Sequence, residues 1–339
     1  MTAVTEADED RIPKGTVTTV PSPVGASVPP RDLQRTFQLL LATVWLLDAV
    51  LQLQPFMFTR GSNGFSGMIS GMAAGNPGWV ARTITWNGSI VYHQPILTDT
   101  AFATVQFLIA FGIVYRRTLK PALALSIAWA LGVWWFGEGS GGIFQGAATP
   151  FGGGPGGVLF YAVLAILLWP SEGSDRPFVA ARTVGVAVAR GIWVAVWGLL
   201  AVLALVGSGR SPQALHDLVA KVDNGQPGWL GHVDRISESF LLHHGTPAAV
   251  LLAAVCVVVA AGVFLPVGAR QVTLVVALVV FAAIWVAVQN FGGILAGGAT
   301  DPNSGLLVIV LTLIYWPLPE TSSRVLTMTA DLAAAEQGG

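Results

Sequence analysis

The sequence contains very little charge. Only 10% of its 339 residues are charged, whereas 53% are hydrophobic, and a typical soluble domain carries about 25% charged residues. The net charge of −1 excludes the overall basic field that gathers nucleic acid. The apolar residues form stretches long enough to cross a lipid bilayer as helices. The composition therefore predicts an integral membrane protein that contacts lipid and has no nucleic-acid partner.

Cysteine is almost absent as well, since Cys256 is the only one in the chain. A single cysteine cannot form an intrachain disulfide, a CxxC redox pair or a cysteine-based zinc site, because each needs at least two. The start of the chain also lacks the apolar core of a secretory signal. Its acidic and then proline-rich composition predicts a disordered tail over residues 1–34.

A concealed duplication organises the rest of the chain. Residues 65–93 recur without a gap at 215–243, so the segment GNPGW at 75–79 returns as GQPGW at 225–229, and His93 returns as His243. Beyond this window the correspondence continues with small shifts, and the GGI sequence at 141–143 returns at 292–294. We therefore expect two related halves with the same order of elements.

Apolar stretches divide each half into four segments of roughly spanning length. They predict an all-α integral membrane bundle of eight transmembrane helices, built as two parallel four-helix repeats at 35–172 and 188–320 and joined by a linker at 173–187. The fourth and eighth spans are short, because a hydrocarbon core about 30 Å thick needs about 20 helical residues. The predicted spans are 37–58, 97–115, 121–137, 157–170, 191–207, 247–266, 271–291 and 305–319.

The basic residues predict the orientation of the chain in the plasma membrane. Lys and Arg accumulate on cytoplasmic loops, and a cytoplasmic N-terminus places twelve of the 17 basic residues inside and five outside. Both termini, including the tail at 321–339, are then cytoplasmic. An even number of spans per repeat gives the halves one orientation, with a pseudo-twofold axis along the membrane normal. The loops 59–96 and 208–246 lie outside, and each is predicted to form two short amphipathic helices at the interface.

Polar side chains near the spans form a first candidate site, a ligand-binding vestibule. Asp48 lies well inside the first span, where an ionised group is costly and usually faces the bundle interior or water, and Gln52 follows one turn later and is positioned to hydrogen-bond it. Glu138 ends the third span, and Gln289 and Asn290 occupy the matching place in the second half. Together they predict a site for a cation or a hydroxylated headgroup. Alternatively, Asp48 caps a packing contact and Glu138 is solvated at its helix end.

Histidines related by the duplication form a second candidate site. His93 and His243 occupy equivalent positions, and His244 is adjacent to the second of them. A neutral imidazole is the commonest ligand of transition metals in proteins, so the three residues predict a copper or zinc site. The alternative is that these side chains anchor the chain at the membrane interface, just before a transmembrane helix begins.

A family resemblance rests on the second and third spans. Residues 101–115, the basic turn RRTLK at 116–120 and the restart at Pro121 resemble the middle of DoxX-type four-helix membrane proteins. The chain is then similar to two fused DoxX-like units, which implies a place in a membrane redox complex such as thiosulfate-to-quinone electron transfer. With the segments QLQPFMF at 52–58 and WWFGEG at 134–139, the whole chain resembles a group of actinobacterial membrane proteins of uncharacterised activity.

The sequence therefore leaves three functions open. No catalytic motif stands out, which favours a role without enzyme activity, and no residue pattern names a cofactor. The resemblance implies a subunit of a redox assembly that binds quinone or a metal. Acidic residues in the membrane favour a channel or transporter for a small solute or ion. The third hypothesis is a structural protein of envelope assembly, whose outer helices dock another membrane or extracytoplasmic protein.

Overall fold

The structure is a computed structural model that describes residues 32–62, 64–171, 176–221 and 225–318. Every regular element in these ranges is helical, which confirms the all-α prediction. The predicted tails fall almost entirely on residues 1–31 and 319–339, which lie outside the described residues, as do positions 172–175 at the linker.

Eleven α-helices are found in the described ranges. Short 3-10 turns separate several of them, notably Pro55–Phe58, Gly139–Gly142, Pro150–Gly152 and Asn290–Ala296. The helices are α1 Leu33–Leu51, α2 Phe65–Gly71, α3 Gly78–His93, α4 Pro95–Val114, α5 Leu119–Phe136, α6 Gly157–Leu167, α7 Ala180–Leu205, α8 Pro212–Ala220, α9 Gly228–Gly262, α10 Val267–Ala287 and α11 Asn303–Ile314.

Five of the described helices are long and apolar enough to cross a membrane: α4, α5, α7, α9 and α10. Large apolar side chains such as Phe111 and Leu251 are exposed on them, as expected of helices that face lipid. The other three predicted spans correspond to α1, α6 and α11. Helices α6 and α11 are apolar but have only 11 and 12 residues, and α1 buries polar side chains, Asp48 among them.

Large aromatic side chains hold the centre of the bundle together. Helix α1 packs on α4, α7 on α9, α5 on α6 and α10 on α11, and α6 contacts α11. The rings of Trp45 and Tyr161 are 4.3 Å apart, and those of Trp193 and Tyr315 are 4.4 Å apart. All four side chains are fully buried. Rings of this size bury much apolar area per residue, so these contacts stabilise the centre of the bundle.

Polar side chains satisfy the carbonyl groups where helices end at one side of the bundle. Arg35, at the start of α1, donates to the carbonyl of Ile113 at 2.9 Å and to that of Val114, where α4 ends. Gln38 donates at 2.9 Å to the carbonyl of Leu168, just beyond α6. The last carbonyls of a helix lack intrahelical donors and carry partial negative charge. We call this side, where α1 begins and α4 and α6 end, the basic end of the bundle.

The opposite side, which we call the loop end, carries α2, α3, α8 and the first half of α9. Loop 59–96 contains two short helices, as predicted. The second loop differs, because its second helix continues without a break through Pro247 as the 35-residue helix α9. In the first half the chain leaves the helical conformation at Gln94 (φ −132°, ψ 53°) and restarts at Pro95. The position equivalent to Pro95 is Gly245, which keeps its N–H group, so the helix can continue there.

Candidate functional site

The centre of the candidate site is the carboxyl group of Asp48. Its side chain is only 3% exposed and projects from α1 into the interior of the bundle. The hydroxyl group of Tyr161, on α6, faces this carboxyl group and is 1% exposed. Neither Asp48 Oδ1 nor Tyr161 Oη has a hydrogen-bond partner of normal geometry within the described residues. Buried polar atoms of this kind are rare, and each points to an interaction with water, an ion or a ligand.

Glu138 brings a second carboxyl group to the same place. It follows the end of α5, and its Oε1 accepts a hydrogen bond of 3.2 Å from the backbone N–H of Val158 in the first turn of α6. Its Oε2 is buried and has no partner. The backbone of Gly156 packs directly on this oxygen, because a Cβ atom there would lie 2.4 Å from Oε2. Glycine at this position, with φ of +118°, is therefore required by both space and backbone conformation.

Asp301 supplies the third carboxyl group, from the segment before α11. Its Oδ1 accepts a bond of 2.7 Å from the N–H of Asn303, and its Oδ2 accepts one of 2.9 Å from the hydroxyl of Thr300. Asp301 is close enough to raise the electrostatic energy of both Asp48 and Glu138 when it is ionised. We call Asp48, Glu138, Asp301 and Tyr161 the carboxyl cluster.

No basic side chain among the described residues forms an ion pair with the carboxyl cluster. Burial, and then the nearby Asp301, raise the pKa of Glu138 from 4.5 to about 8. Burial also raises the pKa of Asp301. Both residues lie in the segments that connect helices, outside the spanning helices themselves. Like charges at close range in a medium of low polarity do not all ionise readily, so the arrangement favours the protonated form of these carboxyl groups.

Gln289 occupies the place that corresponds to Glu138 but is fully bonded within the protein. Its Oε1 accepts from the N–H of Gly305 at 2.9 Å, as Glu138 Oε1 accepts from Val158. Its Nε2 donates to the carbonyl of Pro150 and to the hydroxyl of Ser304, both at 3.1 Å. The predicted role of Gln289 in binding a ligand is therefore at odds with its contacts, because its amide group is already occupied in joining α10 to α11.

Asn290, next in the chain, is completely buried, and its side-chain nitrogen and oxygen have no hydrogen-bond partner within the described residues. Its φ of +50° is uncommon outside glycine, and asparagine tolerates it better than most residues. Asn290 thus marks a second polar position in the interior. No hydrogen bond joins it to the carboxyl cluster.

The side chain of Gln52 bonds to another residue than the predicted Asp48 carboxyl group, although the backbone N–H of Gln52 donates to the carbonyl oxygen of Asp48 at 2.9 Å. Gln52 follows the last residue of α1, and its Nε2 donates instead to Asp99 Oδ1 at 3.4 Å and lies 3.6 Å from the sulfur of Met57. Asp99, on α4, is fully buried. Asp99 was not predicted as a site residue. An acidic residue in the first turns of an apolar span, with Ala249 at the equivalent position of the other half, could have indicated it.

The predicted metal ligands lie on the surface and not in one site. His93 and His243 each have Nδ1 2.7 Å from the carbonyl oxygen four residues earlier, and both are exposed. They line two different surface grooves. His244 is next to His243, with ring centroids 6.5 Å apart. Within the described ranges, no three His, Cys, Asp or Glu residues form a group that could hold a metal ion.

Comparisons with known proteins add no family to this description. No family model matches the chain, and neither the curated proteins nor the solved structures contain a significant match. The class that fold and composition define is a helical membrane protein with a buried carboxyl cluster.

Proposed function

We propose that the protein binds a proton in the carboxyl cluster and belongs to the channel or transporter class. The observation that carries this proposal is the buried pair of Asp48 Oδ1 and Tyr161 Oη, which belong to side chains that face each other and which have no hydrogen-bond partner of normal geometry within the described residues. Ionisable groups inside a membrane bundle are costly and usually mark ion or proton paths. The redox-subunit and envelope-assembly hypotheses remain predictions without a specific contact in their favour.

The chemistry of the cluster suits a proton. Within the described residues, three oxygens lack a hydrogen-bond partner of normal geometry: Asp48 Oδ1, Glu138 Oε2 and Tyr161 Oη. A carboxylate oxygen takes up a proton, and a neighbouring oxygen can then accept a hydrogen bond from it. A bound proton would also remove the repulsion between Glu138 and Asp301.

We further propose that the chain consists of two related halves around one site. Corresponding hydrogen bonds support this relation, since the indole of Trp134 donates to the carbonyl of Pro155 at 2.7 Å and that of Trp285 donates to Pro302 at 2.6 Å. The site itself is asymmetric. Leu200, which is buried, corresponds to Asp48, and Gln289 corresponds to Glu138, so only the first half supplies these two carboxyl groups.

The same proposal includes the orientation of the chain. Basic side chains such as Arg35, Arg190 and Arg270 gather at the basic end, which supports a cytoplasmic location for that end. The carboxyl cluster then lies nearer the extracytoplasmic surface, because Asp48 is close to the last turn of α1 and Glu138 follows the last turn of α5. Eight crossings in the plasma membrane require α6 and α11 to cross as well, although they have only 11 and 12 residues.

Flux through liposomes tests this function directly. Purified protein is reconstituted, and proton movement is followed with an internal pH dye. We expect proton flux with the wild-type protein and its loss in Asp48→Asn, because the amide keeps the shape of the side chain but does not take up a proton. Asp217→Asn is the matched control, since Asp217 is exposed on α8 and pairs with His216 at 3.0 Å. Flux no greater than that of empty liposomes would refute the proposal.

A further inference from the structure

A row of exposed side chains follows one side of α9 at the loop end. Arg235, Ser239, His243 and His244 line a shallow surface groove, and Phe240 lies beside them. Their spacing of three, four or five residues places them along consecutive turns of one helix surface. Within the described ranges Arg235 forms no ion pair with an acidic side chain, so the groove offers a permanent positive charge and several N–H and O–H donors to a ligand.

The ring orientation in this groove is fixed by the backbone. His243 Nδ1 is 2.7 Å from the carbonyl oxygen of Ser239, which requires the proton to be on Nδ1 and leaves Nε2 directed outward. The ring of His244 packs at 5.2 Å from that of Phe240. The groove is therefore ordered by local contacts, although all its side chains are exposed.

The same side of α9 continues into the membrane as an apolar surface. Below the groove, Val250, Leu251, Val257 and Val258 are between 52% and 67% exposed, while the opposite side of the helix is buried against α7, α8 and α10. Helix α9 has 35 residues and is thus about 52 Å long, more than the bilayer core of about 30 Å. One uninterrupted helix thus carries the basic groove directly above a surface that faces lipid chains.

We infer that the groove formed by Arg235, Ser239, His243 and His244 binds the phosphate-bearing headgroup of an anionic phospholipid, whose acyl chain lies along Leu251 and Val258. Arginine is the preferred partner of phosphate because its guanidinium group presents several donors in one plane. The polar donors match the phosphate headgroup of a phospholipid, and the exposed apolar surface beside them matches its acyl chain. A soluble anion would need only the polar donors.

The first half lacks two of the side chains that line this groove. At the positions that correspond to Arg235 and His244, the first half has Thr85, on helix α3, and Gln94, just beyond its end. Its basic side chain is Arg82, at the position that corresponds to His232. Arg82 is exposed on the same end of the bundle but lies outside both grooves, so it provides a matched control for a change of charge.

The test measures the affinity of the full-length protein in detergent for short-chain phosphatidylglycerol. Short-chain phosphatidylcholine and inorganic phosphate are titrated in parallel, and the variants are Arg235→Gln, Phe240→Ala and the control Arg82→Gln. We expect Arg235→Gln to weaken phosphatidylglycerol binding about tenfold or more, since hydrogen bonds to charged groups contribute strongly. Phe240→Ala should weaken it by a smaller factor, and Arg82→Gln should leave it unchanged. Phosphatidylcholine should bind weakly to every variant.

Two outcomes would overturn the inference. Equal affinity of the Arg235→Gln and Arg82→Gln variants for phosphatidylglycerol would show that general charge, and not this groove, attracts the lipid. Inorganic phosphate that binds as tightly as phosphatidylglycerol, and depends on Arg235 in the same way, would assign the groove to a soluble anion. All variants change exposed side chains, and a thermal unfolding curve for each confirms that the fold is retained.

Discussion

Replacement of Glu138 by glutamine should make the protein more stable at alkaline pH. In the unfolded chain this carboxyl group ionises near pH 4.5, whereas in the folded protein its pKa is about 8 because it is buried beside Asp301. Between these values the folded protein holds one more proton than the unfolded chain. The stability of the wild-type protein therefore falls as the pH rises from about 4.5 to about 8, and it stays low above that range. Glutamine does not titrate, so the variant should lack this loss.

The size of the effect follows from the difference between the two pKa values. A pKa difference of one between the folded and unfolded states corresponds to about 1.36 kcal/mol of unfolding free energy. A pKa difference of about 3.5 therefore gives an upper limit of about 5 kcal/mol. The carboxyl oxygen Oε2 is buried, but the residue as a whole is half-buried, so we expect about 2 to 5 kcal/mol at pH 9. Gln289 shows that an amide can occupy the corresponding place, because it accepts from Gly305 and donates to two oxygens.

Thermal unfolding in detergent, in buffers without sodium, measures this difference. The Tm of Glu138→Gln should exceed that of the wild type by a few degrees at about pH 9 and equal it at about pH 5. Asp217→Asn makes the same chemical change on the surface and should not reproduce the alkaline gain. A constant difference between Glu138→Gln and wild type across this pH range would refute the reasoning, because it would mean that the carboxyl group does not titrate with a raised pKa.

Two further substitutions test how the site and the bundle are built. Gly156→Ala should lower the Tm, since its Cβ would lie 2.4 Å from Glu138 Oε2 at a φ of +118°, and backbone strain of this kind costs about 1–3 kcal/mol. Gly191→Ala is its control, because no atom lies within 4 Å there, and equal losses in both would contradict the packing argument. Arg35→Met should cost about 1 kcal/mol in unfolding free energy, as the carbonyls at the end of α4, including that of Val114, lose a charged donor. An unchanged chemical denaturation midpoint for Arg35→Met would show that water replaces the guanidinium group there.

Much of the helical architecture could be predicted, because apolar runs favour helices and glycine or proline residues favour helix ends through local interactions. The start of α4 at Pro95 follows from the residue type alone, since proline suits the first turn of a helix. The continuity of α9 was missed because Pro247 within an apolar run reads equally well as the start of a new span. In the structure the helix tolerates this proline, and the break expected from the first half is absent because Gly245 stands where Pro95 would be.

The candidate site could be predicted only in part. An aspartate inside an apolar span is a local signal, so Asp48 was found from the sequence, and Glu138 from its place at a helix end. Tyr161 and Asp301 were missed as members of the site. Tyr161 is an unremarkable residue in an apolar helix, and Asp301 is 163 positions from Glu138. Only the packing of α6 against α11 and α1 brings these groups together, and that packing has no signature along the sequence.

Infrared difference spectroscopy of the purified protein tests the central claim that the carboxyl cluster holds a proton. Protonated carboxyl groups absorb separately from carboxylates, and the band is followed as the pH rises. The account predicts a protonated-carboxyl band in the wild type that disappears at high pH and is reduced in both Asp48→Asn and Glu138→Gln. A spectrum without such a band, or with a band of equal size in the wild type and both variants, would contradict it.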